Sequence, residues 1–144
     1  MKKINLLFVC RYNRFRSRIA KAYFDKINKN KNWEAKSAGL IKGRLLKEST
    51  VKLIKKKFGL DISGKTQGLI SSTLAWQKIT VVVADNVPPQ VFDKNKRYGK
   101  KVIVWKIKDI DKETDKGKIT VAKNVIKKVD SLIKQLKRLK WTPN

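Results

Sequence analysis

The chain opens with a nearly unbroken apolar run, Ile4-Asn5-Leu6-Leu7-Phe8-Val9, which ends at Cys10. Such a run suits a strand buried on both faces, as in a parallel sheet covered by helices. The spacing then changes: Ile19, Ala20, Tyr23, Phe24 and Ile27 recur at helical intervals, so the start reads strand, loop, helix. Trp33 to Ser37 predicts a second short strand, closed by Ala38-Gly39. A helix from about Ser49, carrying Val51, Leu53, Ile54 and Phe58, is expected to stop at Gly59. Asp61-Ile62-Ser63-Gly64 predicts a turn, and Leu69 to Trp76 another short helix. Ile79 to Ala84 is mostly β-branched and apolar, which places it at the centre of the sheet, and Pro88-Pro89 prevents the strand from continuing. Lys101 to Trp105 predicts a fourth strand, leading into an acidic loop from Asp109 to Asp115. Ile119, Ala122, Ile126, Val129, Ile133 and Leu136 then give the last helix one apolar face. Strands alternating with helices predict an α/β fold: a three-layer sandwich with a four-stranded parallel sheet, helices on both faces and right-handed crossovers.

Length and composition narrow this picture. With 144 residues, 41% of them hydrophobic, one core suffices, and a single domain is expected over residues 1–140 with a tail at 141–144. No apolar stretch approaches the roughly 20 residues that cross a bilayer, so no membrane span is expected. Met1-Lys2-Lys3 and the apolar run before Cys10 superficially resemble a lipoprotein export signal. The run is too short, Val9 is not small, and Arg11 follows at once, which favours the cytoplasm. One cysteine permits no internal disulfide and fits a reducing compartment. The absence of histidine removes Ser-His-Asp triads, Cys-His pairs and histidine zinc sites, leaving Asp, Glu, Lys, Tyr or Cys10 for acid-base work.

Charge adds a second signal. The net charge of +26 invites a nucleic-acid reading, yet the lysines are spread along nearly the whole chain, as solvated faces would be. Weak, non-specific nucleic-acid binding is therefore expected. Arginine is different: four of the seven, Arg11, Arg14, Arg16 and Arg18, fall within eight residues just after Cys10. A guanidinium grips phosphate bidentately, so this cluster says more than the total.

Cys10 falls at the carboxyl end of a predicted parallel strand, where ligands of open α/β sheets bind. Five residues separate it from Arg16, enough for the main-chain N–H groups to wrap one tetrahedral dianion in front of a helix N-terminus. The same field favours a thiolate over a thiol. The competing readings are ordinary. A cysteine at a strand end can be a small core residue, Arg11, Arg14 and Arg18 can be solvated charges, and Asn13 and Ser17 can be turn and cap residues.

The stretch Val9-Cys10-Arg11-Tyr12-Asn13-Arg14-Phe15-Arg16-Ser17 resembles the signature of low-molecular-weight protein tyrosine phosphatases. Ser37-Ala38-Gly39, Gly59 to Ser63, Ala84-Asp85 and Trp105 to Asp109 look like further landmarks of that family in the right order. The resemblance implies that Cys10 attacks phosphorus while Arg16 and the loop amides hold the equatorial oxygens. By the same likeness Asp109 is the general acid, with Asp111 the competing carboxylate, Ser17 donates to the cysteine sulfur, and Asn13 braces the loop. Arg11, Tyr12, Asn13, Arg14, Phe15 and Ser17 are thus expected to shape substrate binding, with no metal or cofactor. The implied substrate is a phosphorylated protein or a small phosphate ester; the oligomeric state stays open. Four positions depart from the pattern: Tyr12 replaces a glycine, Phe15 a second cysteine, Arg18 a proline, and Ile110 the proline after the acid. No aromatic pair follows Asp109. Two other functions compete: an arsenate reductase served by an external thiol, and a basic phosphate- or nucleic-acid-binding module without catalysis.

Overall fold

A computed structural model describes residues 3–110 and 113–139. The elements follow the order β1 (Ile4–Cys10), α1 (Arg16–Ile27), β2 (Trp33–Gly39), α2 (Glu48–Phe58), α3 (Ser71–Trp76), β3 (Ile79–Val83), a 3₁₀ turn (Pro89–Phe92), α4 (Lys94–Arg97), β4 (Lys101–Trp105) and α5 (Asp115–Leu139). The four strands form one parallel sheet in the order β2-β1-β3-β4. The two runs richest in apolar residues, β1 and β3, occupy its centre, where both faces must be filled.

Alternation along β1 divides the core. Leu6 and Phe8 face α1, α2 and α5, where they meet Ile19, Phe24, Ile54 and Val125. Leu7 and Val9 face the opposite layer, with Ala38, Val82 and Phe92 buried beside them and Leu74 of α3 packed against them. Phe8 anchors the first layer with tilted ring contacts to Phe24 and Trp105, centroids 5.9 and 6.1 Å apart. These two layers and the sheet between them are the predicted sandwich.

Local chemistry explains several element ends. Helix α2 stops because Gly59 adopts φ 66°, a left-handed conformation that glycine takes without steric cost. In the adjoining turn, Ser63 donates from its N–H to the Asp61 carboxylate, and these Ser63 hydrogen bonds hold the Asp61 carboxyl below its usual range. The buried face of α5 is centred on Val121, Ala122, Val125, Val129, Leu132, Ile133 and Leu136, with Ile119 and Ile126 only half-buried. The apolar stripe is thus rotated slightly from the one predicted, because valines and Leu132 share it. The helix also begins inside the segment read as an acidic loop. Among the described residues, no helix is long and apolar enough to cross a membrane.

Helices α1 and α5 are joined by a polar bond as well as by packing. The Tyr23 hydroxyl donates to Asp130 Oδ1 at 2.7 Å. Partial burial first, and then the carboxylate, push the phenol up to about 12. The unfolded chain would lose this proton near the ordinary value of about 10. Stability from the bond is therefore complete below that value and disappears as pH rises through about 12. Tyr23→Phe is expected to lower the unfolding free energy by about 1 kcal/mol at neutral pH. Chemical denaturation of both proteins should show the gap closing in strong alkali; a pH-independent gap would refute the linkage.

Candidate active site

The loop between β1 and α1 turns on Asn13. Its φ of 56° is the one positive value carried by a non-glycine residue among the described residues, and asparagine tolerates this region better than most. Tyr12, which stands where the resembled pattern has glycine, carries no such backbone demand, so the substitution is accommodated. Asn13 is 1% exposed, and its side chain is fully engaged. Nδ2 donates to Ser17 Oγ at 2.9 Å and Ser37 Oγ at 3.0 Å; Oδ1 accepts from Gln67 N–H at 3.0 Å and an Arg18 Nη at 3.2 Å. One buried amide thus ties the loop to α1, β2 and the segment before α3.

Ser17 lies inside α1, and the residue capping that helix is Phe15, so the cap reading of Ser17 gives way to a different role. Its Oγ is 3.0 Å from Cys10 Sγ. Because that oxygen already accepts from Asn13, its own proton is free to point at the sulfur. The loop carbonyls face away from the sulfur side: those of Cys10, Arg11 and Tyr12 accept from Leu40, Ile41 and Gly43 N–H at 2.9–3.1 Å. No hydrogen bond among the described residues uses the N–H groups of Tyr12 to Arg16. That combination, carbonyls engaged outward and successive amides unused, is what an anion-binding nest requires.

Gly39, at the end of β2, makes this geometry feasible. A Cβ there would lie 2.6 Å from the Tyr12 carbonyl carbon and 2.7 Å from Asn13 N, both backbone atoms. The Ser-Ala-Gly landmark therefore has a packing cause.

Arg16 is 2% exposed yet well partnered. Its Nη1 donates to the Ile107 carbonyl at 2.8 Å and its Nη2 to Asn86 Oδ1 at 3.0 Å. Asp85 and Asp109 lie at ion-pair distances of 3.7 and 3.5 Å. A buried guanidinium is tolerable only with such compensation. The side chain therefore ties the start of α1 to the ends of β3 and β4. Asp109, half exposed, accepts from the Ile110 N–H at 2.8 Å, while buried Ile107 and half-buried Ile110 hold the strand exit against the core.

A cavity of about 120 Å³ opens between these groups, lined by Cys10, Tyr12, Arg14, Phe15, Arg16 and Asp109. Asn13 and Ser17 support it from behind. Arg11 turns aside, donating to the Asn86 carbonyl at 3.1 Å and stacking on Tyr12. Arg18 is not a solvated charge: it clamps the Asp61 turn through the carbonyls of Ile62, Ser63 and Lys65. Burial holds its guanidinium below the ordinary value, while Cys10 and Asp61 pull the other way. Asp111, the competing acid, lies outside the described residues. Residues not anticipated at the site are Asn86, Ser37, Gln67, Gly43, Lys47, Glu113 and Lys118. Ser37 and Asn86 alone carried a signal, as part of a landmark and as a strand terminator.

The family described as Low molecular weight phosphotyrosine protein phosphatase matches residues 5–139. This chain belongs to that family. Its fold is shared by a low molecular weight protein tyrosine phosphatase from T. tengcongensis, with a TM-score of 0.79 and 25% identity over 93% of this chain and 100% of that one. The YwlE arginine phosphatase from Geobacillus stearothermophilus aligns with a TM-score of 0.78 and 19% identity, covering 95% of each chain. An arsenate reductase from Archaeoglobus fulgidus aligns with a TM-score of 0.68 and 25% identity over 89% of this chain and 98% of that one. Among curated proteins, no sequence matches. Membership of the phosphotyrosine phosphatase family accounts for the order of the landmarks, and the contacts above give each a physical reason.

Gly39→Ala in this phosphatase-family chain is expected to force β2 and the loop apart, at a cost of about 1–3 kcal/mol. Urea denaturation measures it. An unchanged midpoint would mean that the loop backbone does not rest on Gly39.

Proposed function

We propose that the chain is a cysteine-dependent phosphomonoesterase, acting on phosphotyrosine-type or small aryl phosphates through a phosphocysteine. The observation that carries this reading is that Cys10, its sulfur 3.0 Å from the Ser17 hydroxyl, shares one cavity with Arg16 and Asp109. In the first step Cys10 Sγ attacks phosphorus, the bond from phosphorus to the ester oxygen breaks, and Asp109 gives that oxygen its proton. The loop amides and the Arg16 fork stabilise charge on the equatorial oxygens. In the second step Asp109, now a carboxylate, takes a proton from water as the water oxygen attacks phosphorus. The S–P bond breaks, inorganic phosphate leaves, and the Ser17 proton stabilises the departing thiolate. Arg16 already stands 3.5 Å from Asp109, so the acid and the phosphate clamp are neighbours before any substrate arrives.

Tyr12, Phe15, Leu46 and Ile110 supply apolar and aromatic lining to the cavity, which suits an aryl leaving group although no aromatic pair follows Asp109. The free Cys10 suits the cytoplasm. Arsenate reduction on the same scaffold is the second reading, favoured by the likeness to the Archaeoglobus fulgidus enzyme. It needs an external thiol, because Cys10 is this chain's one cysteine.

Hydrolysis of para-nitrophenyl phosphate without added thiol tests the first reading against the second. Cys10→Ser is expected to abolish turnover; substantial residual activity would remove Cys10 from the chemistry. Asp109→Asn is expected to slow phenyl phosphate hydrolysis by about 10²–10⁴-fold and the nitrophenyl ester less, since nitrophenolate departs without a proton. Equal effects on both esters would take the acid role away from Asp109.

A further inference from the structure

The cavity at Cys10 holds more positive charge than one phosphoryl group and the proposed chemistry use. Arg16 faces Asp109 and Asp85, but Arg14, Lys47 and Lys118 line or rim the same space from the loop, the N-cap of α2 and the first turn of α5. Among the described residues, the carboxylate paired with these cations is Glu113, whose Oε2 lies 3.7 Å from both Lys47 Nζ and Lys118 Nζ. That distance allows attraction but no hydrogen bond.

Lys118 is the unusual member. It is 6% exposed, and its ammonium makes no hydrogen bond among the described residues. Lysine is almost never this buried unless paired, and the described carboxylate nearest this ammonium stands beyond hydrogen-bond reach. Arg14 repeats the pattern: its Nε is buried without a partner, while Nη2 donates to the Leu45 carbonyl at 3.2 Å. Two cationic side chains from distant segments therefore line one cavity, each with a donor that no described residue satisfies, and the carboxylate near Lys118 is itself 63% exposed and easily displaced.

We propose that this corner is a second anion subsite: the substrate carries another anionic group, a carboxylate or phosphate, close to the phosphoester that is cleaved. Lys118 binds that group with help from Lys47 and Arg14, and Glu113 holds the place in its absence. The inference rests on the phosphomonoesterase reading and deepens it by naming the substrate class. An acidic residue beside a phosphorylated side chain and a small doubly anionic metabolite share this chemistry. A cationic leaving group, such as the guanidinium of phosphoarginine, would be repelled by the same three residues.

The test compares 3-carboxyphenyl phosphate with its neutral carboxamide analogue, and also the two corresponding benzylphosphonates, whose binding is read by calorimetry without turnover. The carboxylates are expected to be favoured about tenfold, in KM for the esters and in Kd for the phosphonates. Lys118→Met should abolish the preference, Lys118→Arg should restore it, and Glu113→Gln should enlarge it. Should Lys118→Met fail to fold, the Glu113→Gln result alone decides: an unchanged or smaller preference overturns the subsite. Equal binding of both phosphonates by the unaltered protein also overturns it. Discrimination between phosphonates without any ester hydrolysis would uphold the subsite and refute the phosphatase reading instead. Phosphopeptides with Glu or Gln beside phosphotyrosine separate the two sources: a Glu preference points to protein substrates, and none, with the small esters still discriminated, points to metabolites.

Discussion

The site depends on one buried amide. Asn13 occupies a left-handed backbone position, and the two polar atoms of its side chain bond four partners: Ser17 and Arg18 of α1, Ser37 of β2, and Gln67 in the segment before α3. Such a network is strong when complete and costly when any member is missing, because each lost partner leaves a buried polar group unpaired. Its consequence is directional. By donating to Ser17 Oγ, Asn13 leaves the serine proton for Cys10, and by fixing the turn it holds the loop carbonyls on the side of residues 40–43.

The surrounding fold keeps that amide buried. The central strands β1 and β3 deliver Cys10 and Asp85 to the same carboxyl end of the sheet, and β4 ends beside them. Arg16, at the start of α1, then reaches the ends of β3 and β4, bonding the Ile107 carbonyl and Asn86 while remaining close to two carboxylates. A charge this deep is destabilising without partners, so it also selects the arrangement in which Asp109 lies over the loop. Stability and proposed catalysis thus draw on the same contacts.

Much of this is legible in the sequence because burial leaves a periodic trace. The unbroken runs of β1 and β3 announce central parallel strands, and the apolar spacing in α5 announces a long packed helix. The interval from Cys10 to Arg16 is readable because strand, loop and helix fix the dimensions of a phosphate cradle. What periodicity does not report is the partner of a polar group. Arg18 reads as one basic residue among many, yet it reaches carbonyls 44 to 47 positions away. Lys118 looks like another surface lysine of a lysine-rich helix, and only its neighbours show it to be buried. Tyr12 stands where the family pattern has glycine, and the sequence does not reveal that the left-handed residue is Asn13 instead.

The central claim is that Cys10 becomes covalently phosphorylated within this loop. The direct measurement is rapid acid quench of the protein mixed with para-nitrophenyl phosphate, followed by peptide mass spectrometry of the trapped species. One phosphoryl group on the peptide containing Cys10, formed as fast as the first nitrophenol is released, is the result expected. Steady release of nitrophenol with no phosphoryl group on Cys10, or with the group on another residue, would contradict it.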